Sequence, residues 1–264
     1  MTALEQLKLI KDERYVTADG REFGIILKEG LPDYQIEHLA ARLPASHIPA
    51  EIRELLQFSS GFSFAGLGEI SFDGVDQFGF ENIFPASVQL AGDGAGNFWI
   101  VDINPMGGWG SVFFACHDPA VVIKQSEDLV EFLQQIDELG KKPEQSTLSL
   151  FRERTMMRVY NQDDGYVEIA AARSSSDLVL REFAAGLPDH FVIVDLRNSP
   201  IQTGFAWGKY GSLIDNAVRH ADQLIWGFET KGKKAMRTAK NGLPAVKNGL
   251  PAAKGDRPWW KFWG

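Results

Sequence analysis

Between Ala91 and Asp102 an acidic, glycine-rich turn, Ala-Gly-Asp-Gly-Ala-Gly-Asn, runs directly into Phe98-Trp99-Ile100-Val101-Asp102. Glycines at 92, 94 and 96 permit positive φ, and the side chains of Asp93 and Asn97 can bond the turn's own amides. The four apolar residues from Phe98 to Val101 do not alternate with polar ones. Such a run describes a strand covered on both faces, or one whose outer face meets something.

The turn fails three tests for chemistry. A dinucleotide fingerprint places its third glycine differently and opens a helix, whereas a strand follows here. An EF-hand loop beginning at Asp93 would need oxygen ligands where Ala95, Trp99 and Val101 stand, and a glutamate where Asn104 stands. A phosphate-cradling loop would need Lys followed by Ser or Thr, and the turn has neither. A hairpin-like turn entering a core strand is the reading that remains.

The 264 residues, 44% of them hydrophobic, suffice for a sizeable core in one or two domains. Cys116 is the single cysteine and has no partner for an internal disulfide. Glu5, Lys8, Lys11 and Asp12 occupy the place of a signal peptide's apolar core, and no run approaches the ~18 apolar residues of a membrane span. A cytoplasmic location is the expectation. The net charge of −8 is unevenly spread: residues 231–264 hold nine Lys and Arg against one Asp, +8, and the other 230 residues stand at −16. An acidic body repels nucleic acid and attracts a basic partner.

In chain order, Leu4, Leu7 and Ile10 have helical spacing, and Asp19-Gly20 centres a hairpin whose turn residues suit a type I′ bend. A helix over Pro32–Leu43 buries Ile36, Leu39, Ala40 and Leu43, and a second from Pro49 buries Ile52, Leu55, Leu56 and Phe58 before ending by Gly61. Phe62 to Pro85, punctuated by glycine, reads as short antiparallel strands and loops. Val88–Ala91 and Phe98–Asp102 form strands around the acidic turn, Asn104–Gly110 is a loop holding Trp109, and Ser111–Cys116 is a further strand. Ser126 is expected to cap a helix that buries Leu129, Phe132, Leu133 and Ile136 and stops at Gly140.

The ordered pieces Leu43-Pro44, Ile48-Pro49 with the helix to Ser60-Gly61, Ala91–Asn97 leading to Asp102, Gly110–Phe113, His117-Asp118 and Ser126–Leu133 resemble the SUKH superfamily in its Smi/Knr branch, over about residues 31–139. That resemblance implies an α+β fold with an antiparallel sheet flanked by helices. It also implies a binding role without catalysis, since the family includes bacterial immunity proteins that neutralise toxin domains and a fungal cell-wall regulator.

Residues 1–142 are therefore expected to form the SUKH-like domain with an amino-terminal extension. A Pro143–Ser146 linker then leads to a small α/β unit over 143–230: a strand in Tyr166–Ala170, a helix over Ser176–Ala185, the strand Phe191–Asp195 and a helix over about Ser212–Phe228. This unit could equally be an extension packed on the first domain. Residues 231–264 repeat Lys-Asn-Gly-Leu-Pro-Ala at 240 and 247 and read as a disordered basic tail. The tail's Trp259, Trp260, Lys261, Phe262 and Trp263 suit a membrane headgroup zone, a protein partner, or the chain's own acidic body.

Cys116-His117-Asp118 places three catalytic residue types side by side, but neighbours on a strand face opposite ways and form no contiguous triad. The five histidines show no metal-ligand spacing, and Asp163-Asp164 reads as a solvated turn. No cofactor, metal or nucleic acid is expected. Loops carry Asp73, Asp76, Glu81, Asp93 and Asp118 around the aromatics Phe78, Trp99 and Trp109, a combination suited to steering and anchoring a basic protein, such as a toxin domain. The competing reading puts Phe78 and Trp99 in the core and leaves the acids as solubilising charge. The leading expectation is a non-enzymatic immunity protein acting by occlusion; the alternative is a regulatory scaffold tethered to membrane or partner by its tail.

Overall fold

The computed structural model describes residues 1–17, 19–75, 79–150, 154–162, 165–208 and 216–230. Asp76, Phe78, Asp163-Asp164, the beginning of the helix expected from Ser212 and the whole of 231–264 lie outside them.

Helix α1 (Ala3–Lys11) begins in a reciprocal cap: Glu5 N donates to Thr2 Oγ1 at 3.2 Å, and Thr2 N donates to Glu5 Oε2 at 2.7 Å. Strands β1 (Tyr15–Val16) and β2 (Glu22–Phe23) form the hairpin around Asp19-Gly20. Thr17 N bonds Arg21 O at 2.9 Å, so the bend is wider than a two-residue type I′ turn. After β3 (Ile26–Leu27) come helices α2 (Asp33–Ala40) and α3 (Ala50–Phe58), which bury Ile36, Leu39 and Ala40 and Ile52, Leu55 and Leu56 as their spacing predicts, while Leu43 is buried beyond the end of α2 and Phe58 is half-buried. Strands β4 (Gly61–Phe64) and β5 (Gly68–Ser71) join β3 in a three-stranded antiparallel sheet, ordered β3-β4-β5.

The main sheet is built by β6 (Ser87–Gly92), β7 (Phe98–Ile103), β8 (Trp109–His117) and β9 (Ala120–Ser126), each antiparallel to the next, and α4 (Leu129–Lys141) follows. Helices α5 (Thr147–Leu150) and α6 (Met156–Asn161) lead to β10 (Val167–Glu168), α7 (Ile169–Arg173), α8 (Leu178–Ala185) and β11 (Phe191–Asp195). Strand β12 (Gly204–Ala206) then crosses back to pair with β9 as the fifth strand of the main sheet. Strands β13 (Val218–Arg219) and β14 (Ile225–Glu229) complete a second antiparallel sheet, β10-β11-β14-β13. The class is α+β throughout.

Strand periodicity decides the layering. On β7, Trp99, Val101 and Ile103 enter the core shared with α1, α3 and α4, while Ile100 faces the other way. On β8, Val112, Phe114 and Cys116 take the first side and Phe113 and Ala115 the second. That second side, extended by Phe205 of β12, is covered by Val192, Val194, Trp226 and Phe228 of β11 and β14. The opposite faces of β11 and β14, through Phe191, Ile193 and Ile225, pack under Ala172 of α7 and Leu180 and Ala184 of α8. The unbroken Phe98–Val101 run is thus a strand sandwiched between two cores.

Several local expectations are corrected. Ile225–Glu229 is a strand, not the end of a helix, because Trp226 and Phe228 cover the main sheet while Ile225 turns to the opposite core. The strand expected at Tyr166–Ala170 is confined to Val167–Glu168; Ile169 and Ala172 bury one side of the helix that follows. Asp128, not Ser126, caps α4, its Oδ1 accepting from Glu131 N at 2.8 Å. Gly140 does not stop α4, which continues to Lys141; it lies against the Tyr15 ring, where an added Cβ would come within 2.3 Å of a ring carbon. Trp109 opens β8 instead of belonging to a loop.

One buried ion pair ties residues 216–230 to β7. Arg219 Nη1 and Nη2 donate to Asp102 Oδ1 and Oδ2, both at 2.6 Å, in a bidentate pair whose side chains are 9% and 6% exposed. The guanidinium also lies 5.1 Å from the Trp226 ring centroid and 5.7 Å from that of Phe84, and Trp226 Nε1 donates to Ile83 O at 2.8 Å. Removing one member of a buried pair leaves an uncompensated charge, whereas an apolar pair of similar volume can replace both. Asp102→Ala should therefore cost about 3–5 kcal/mol in urea unfolding, and Asp102→Leu combined with Arg219→Met should recover most of that loss.

The Tyr15 hydroxyl donates to Asp137 Oδ1 at 3.0 Å. Burial, and then that hydrogen bond, raise its pKa far above the ordinary value of about 10. The folded state favours the neutral phenol, so the contribution is complete below about pH 10 and fades as pH rises through the folded value. A difference titration of phenolate absorbance against Tyr15→Phe should show Tyr15 still protonated at pH 10, and the variant should lose about 0.5–1.5 kcal/mol of stability at neutral pH.

Candidate functional site

The two amino-terminal sheets touch at one bridge and then part. Gln89 N on β6 donates to Gly74 O at 2.8 Å, and a Cβ on Gly74 would lie 2.4 Å from Gln89 O, so the approach requires glycine. The neighbouring edges are β5, last strand of the small sheet, and β6, last strand of the main one. Between them, and under the β1–β2 hairpin, lies an open groove of about 1000 Å³. Phe64, Leu67, Leu90, Ala91 and Trp99 are buried residues forming its floor, and Phe23 and the exposed Ile26 stand at its side. Tyr15, Phe23 and Phe64 hold the hairpin to the sheet as a trio of rings with centroids 5.3–5.6 Å apart.

The ionisable residues lining this groove are Arg21, Glu22, Glu69 and Asp93, an acidic excess. Arg21 Nε donates to Asp19 Oδ2 at 2.7 Å. The Asp19 carboxyl is lowered first by the Thr17 hydroxyl and then by Arg21. Glu69 accepts from the Ser63 hydroxyl and pairs with Lys28 Nζ at 3.0 Å, and both contacts hold its pKa down, the Ser63 bond most. Asp19, beside the groove, and Glu69, on its rim, are thus stabilised in their charged forms.

At one end of the groove stands the acidic turn. Asp93 Oδ1 accepts from Ala95 N at 2.9 Å and Asn97 N at 3.2 Å, and Oδ2 accepts from Asn97 Nδ2 at 2.8 Å. Gly94 and Gly96 sit at φ +75° and +84°, so the loop closes as the turn chemistry predicts. Asn97 Oδ1 then accepts from His117 N at 3.1 Å, locking the turn to the β8–β9 corner.

No protein-family model, curated protein or solved structure matches this chain. The chemistry has to be judged from the groove itself.

The structure disperses the partner-contacting residues expected from sequence. Asp93 and Trp99 share the groove, but Trp99 is only 1% exposed. Its Nε1 donates to Gln125 Oε1 at 3.2 Å and its ring packs on Phe114, so Trp99 is floor and core and cannot serve as an exposed anchor. Asp73 borders a separate depression beside Leu31, His38 and Arg42, and accepts from Ser71 Oγ at 2.7 Å. Glu81 bonds Gly79 N at 3.1 Å, and Asp118 is exposed at the β8–β9 corner. Trp109 is half-buried against the main core, and its buried Nε1 has no hydrogen-bond partner among the described residues. Asp76 and Phe78 lie outside the described residues, as do Trp259, Trp260, Lys261, Phe262 and Trp263.

Cys116 is buried with its thiol directed to Asp118 O at 3.3 Å, while the His117 ring is exposed, its Nδ1 lying 2.9 Å from Asn97 Oδ1. Among the described residues, no three His, Cys, Asp or Glu side chains gather as a metal site would require. Glu22, Ile26 and Glu69 are groove residues that sequence reasoning missed. Their local signals, the Asp19-Gly20 hairpin and the glycine-punctuated strands, were visible, but the bridge that sets them beside β6 was not. Gly74→Val should wedge that bridge apart, lowering stability by about 1–3 kcal/mol and altering the emission of Trp99 at the floor.

Proposed function

We propose that this chain is a non-enzymatic protein-binding module of the immunity type, which neutralises a basic toxin domain by covering that domain's substrate-binding surface. One observation carries the reading: a single opening combines an apolar floor, two sheet-edge strands and a rim of Glu22, Glu69 and Asp93 against Arg21. Edge strands offer main-chain groups to an extended segment of a partner, and the apolar floor accepts its side chains. Rim acids steer a basic partner into place, reinforced by the −16 charge of the first 230 residues. The resemblance of residues 31–139 to SUKH immunity proteins supports the same class and a cytoplasmic site of action. Among the described residues no helix is long and apolar enough to cross a membrane.

The test is to express a toxin-like reading frame found beside this one and to measure its binding to the chain by calorimetry and stopped-flow mixing; no binding by such a domain would overturn the reading. Glu22→Lys should slow association about five- to tenfold at low salt, with the difference shrinking towards 0.5 M, as expected for steering at roughly one screening length. Ile26→Arg should weaken affinity about tenfold, equivalent to about 1.4 kcal/mol. Both side chains are exposed, so the urea midpoint should hold. Native affinity in both variants would exclude this groove as the binding site.

A further inference from the structure

We propose that, before any partner arrives, the groove between β5 and β6 is occupied in cis by the chain's own aromatic, basic segment Pro258–Gly264. The proposal deepens the binding role assigned above to the same groove: the occupant is a competitor for the partner's place.

Three observations converge on that occupant. The first is charge. Residues 231–264 carry +8 and the rest of the chain −16, and the groove's ionisable lining is Glu22, Glu69 and Asp93 against Arg21, with Lys28 paired to Glu69 from outside the lining. A lysine-bearing segment is attracted to this opening, where an acidic one is repelled.

The second is shape and chemistry. A volume of about 1000 Å³ over Phe64, Leu67, Leu90 and Trp99 has room for more than one large aromatic side chain, and exposed Ile26, at 71% of its surface, leaves apolar area uncovered at the mouth. Trp259, Trp260, Phe262 and Trp263 are large aromatic residues with Lys261 among them, and rings of that kind gain free energy from burial against an apolar surface. In an extended conformation Trp260 and Phe262 would fall on one side and Lys261 on the other. That alternation suits an apolar floor facing an acidic rim, with the edges of β5 and β6 available to backbone groups.

The third is reach. Thr230 is fixed where β14 ends, its N bonded to His190 O at 3.0 Å. The 27 residues Lys231–Arg257 separate it from Pro258. A flexible coil of that length would have a root-mean-square span of roughly 30 Å and would hold its end at an effective concentration of about millimolar. A groove contact whose intrinsic Kd lies below about 0.1 mM is then largely occupied.

Hydrogen exchange on the full chain tests this. Native protein is compared with a tail variant, Trp260→Ser with Phe262→Ser, and a groove variant, Ile26→Arg with Ala65→Arg, both at exposed positions. At low salt, amides of 66–71 and 90–94 should exchange at least fivefold faster in both variants, while β8 and β9 stay unchanged; 1 M salt should reproduce part of the effect in the native chain. Equal exchange in native and tail-variant protein would overturn the proposal. Protection that moves to another surface would do the same, and protection that grows with protein concentration would assign the occupant to a second copy. Vesicles of phosphatidylserine and phosphatidylcholine supply a further arm: segment-dependent sedimentation with no segment-dependent protection of the groove in vesicle-free solution would place the aromatics at a membrane instead.

The toxin titration separates this proposal from the binding role it rests on. With both correct, the tail variant binds toxin several-fold more tightly than native chain, because the competitor is gone. Unchanged toxin affinity in the tail variant, with the groove variant still weakened, removes the cis occupant and leaves the binding role. Segment-dependent groove protection with native toxin affinity in the groove variant leaves the occupant and removes the toxin.

Discussion

Asp102 and Arg219 meet across the plane between two sheets, and most of the architecture follows from what that contact requires. A carboxylate on a strand buried on both faces is tolerable only if a cation reaches it with matching geometry, which the bidentate guanidinium provides. Arg219 of β13 supplies that cation, and with it β13 and β14 lie against the main sheet. Trp226 and Phe84 then close around the guanidinium as aromatic faces, and Trp226 reaches Ile83 O. Polar specificity and apolar cover arrive together, and β12 adds a covalent route by entering the main sheet beside β9.

That arrangement leaves one face of the molecule different from the rest. The second face of the main sheet is covered by residues 192–228, while on the first face the small β3-β4-β5 sheet lies beside β6 and, among the described residues, is bridged to it by main-chain hydrogen bonding at Gly74 and Gln89. Past that bridge two strand edges stay unjoined, and the groove opens there. Buried aromatics below and carboxylates at the rim are by-products of how the hairpin and the two sheets converge. Together they compose a surface fitted to a basic, partly apolar segment.

Local patterns carried much of the fold. The helical spacing of Ile36, Leu39 and Ala40, the run in α3, the hairpin at Asp19-Gly20 and the strand Phe191–Asp195 could be read because short-range periodicity and turn chemistry dominate there. Ile225–Glu229 could not, since its apolar residues satisfy a helix pattern or a two-faced strand equally well, and only the presence of separate cores on either side chooses between them. Gly140 looked like a helix stop because glycine often is one, yet it stands where the Tyr15 ring leaves no room for a Cβ. In the site, Asp93 was legible through its turn, whereas Glu22 and Glu69 lie far apart in the chain and become neighbours of β6 only through the Gly74 bridge.

What the sequence determined by itself was the acidic turn and the strand after it: glycines and Asp93 dictate the bend, and an apolar run without alternation demands cover on both faces. It also set the opposed charges of body and tail, which no folding can alter. Which material supplies the second cover, and whether Trp99 is an anchor or a floor, depended on tertiary packing. Those outcomes turn on contacts between residues a hundred or more apart, such as Asp102 with Arg219, and no local pattern encodes the pairing of two distant strands when several partners would satisfy the same periodicity.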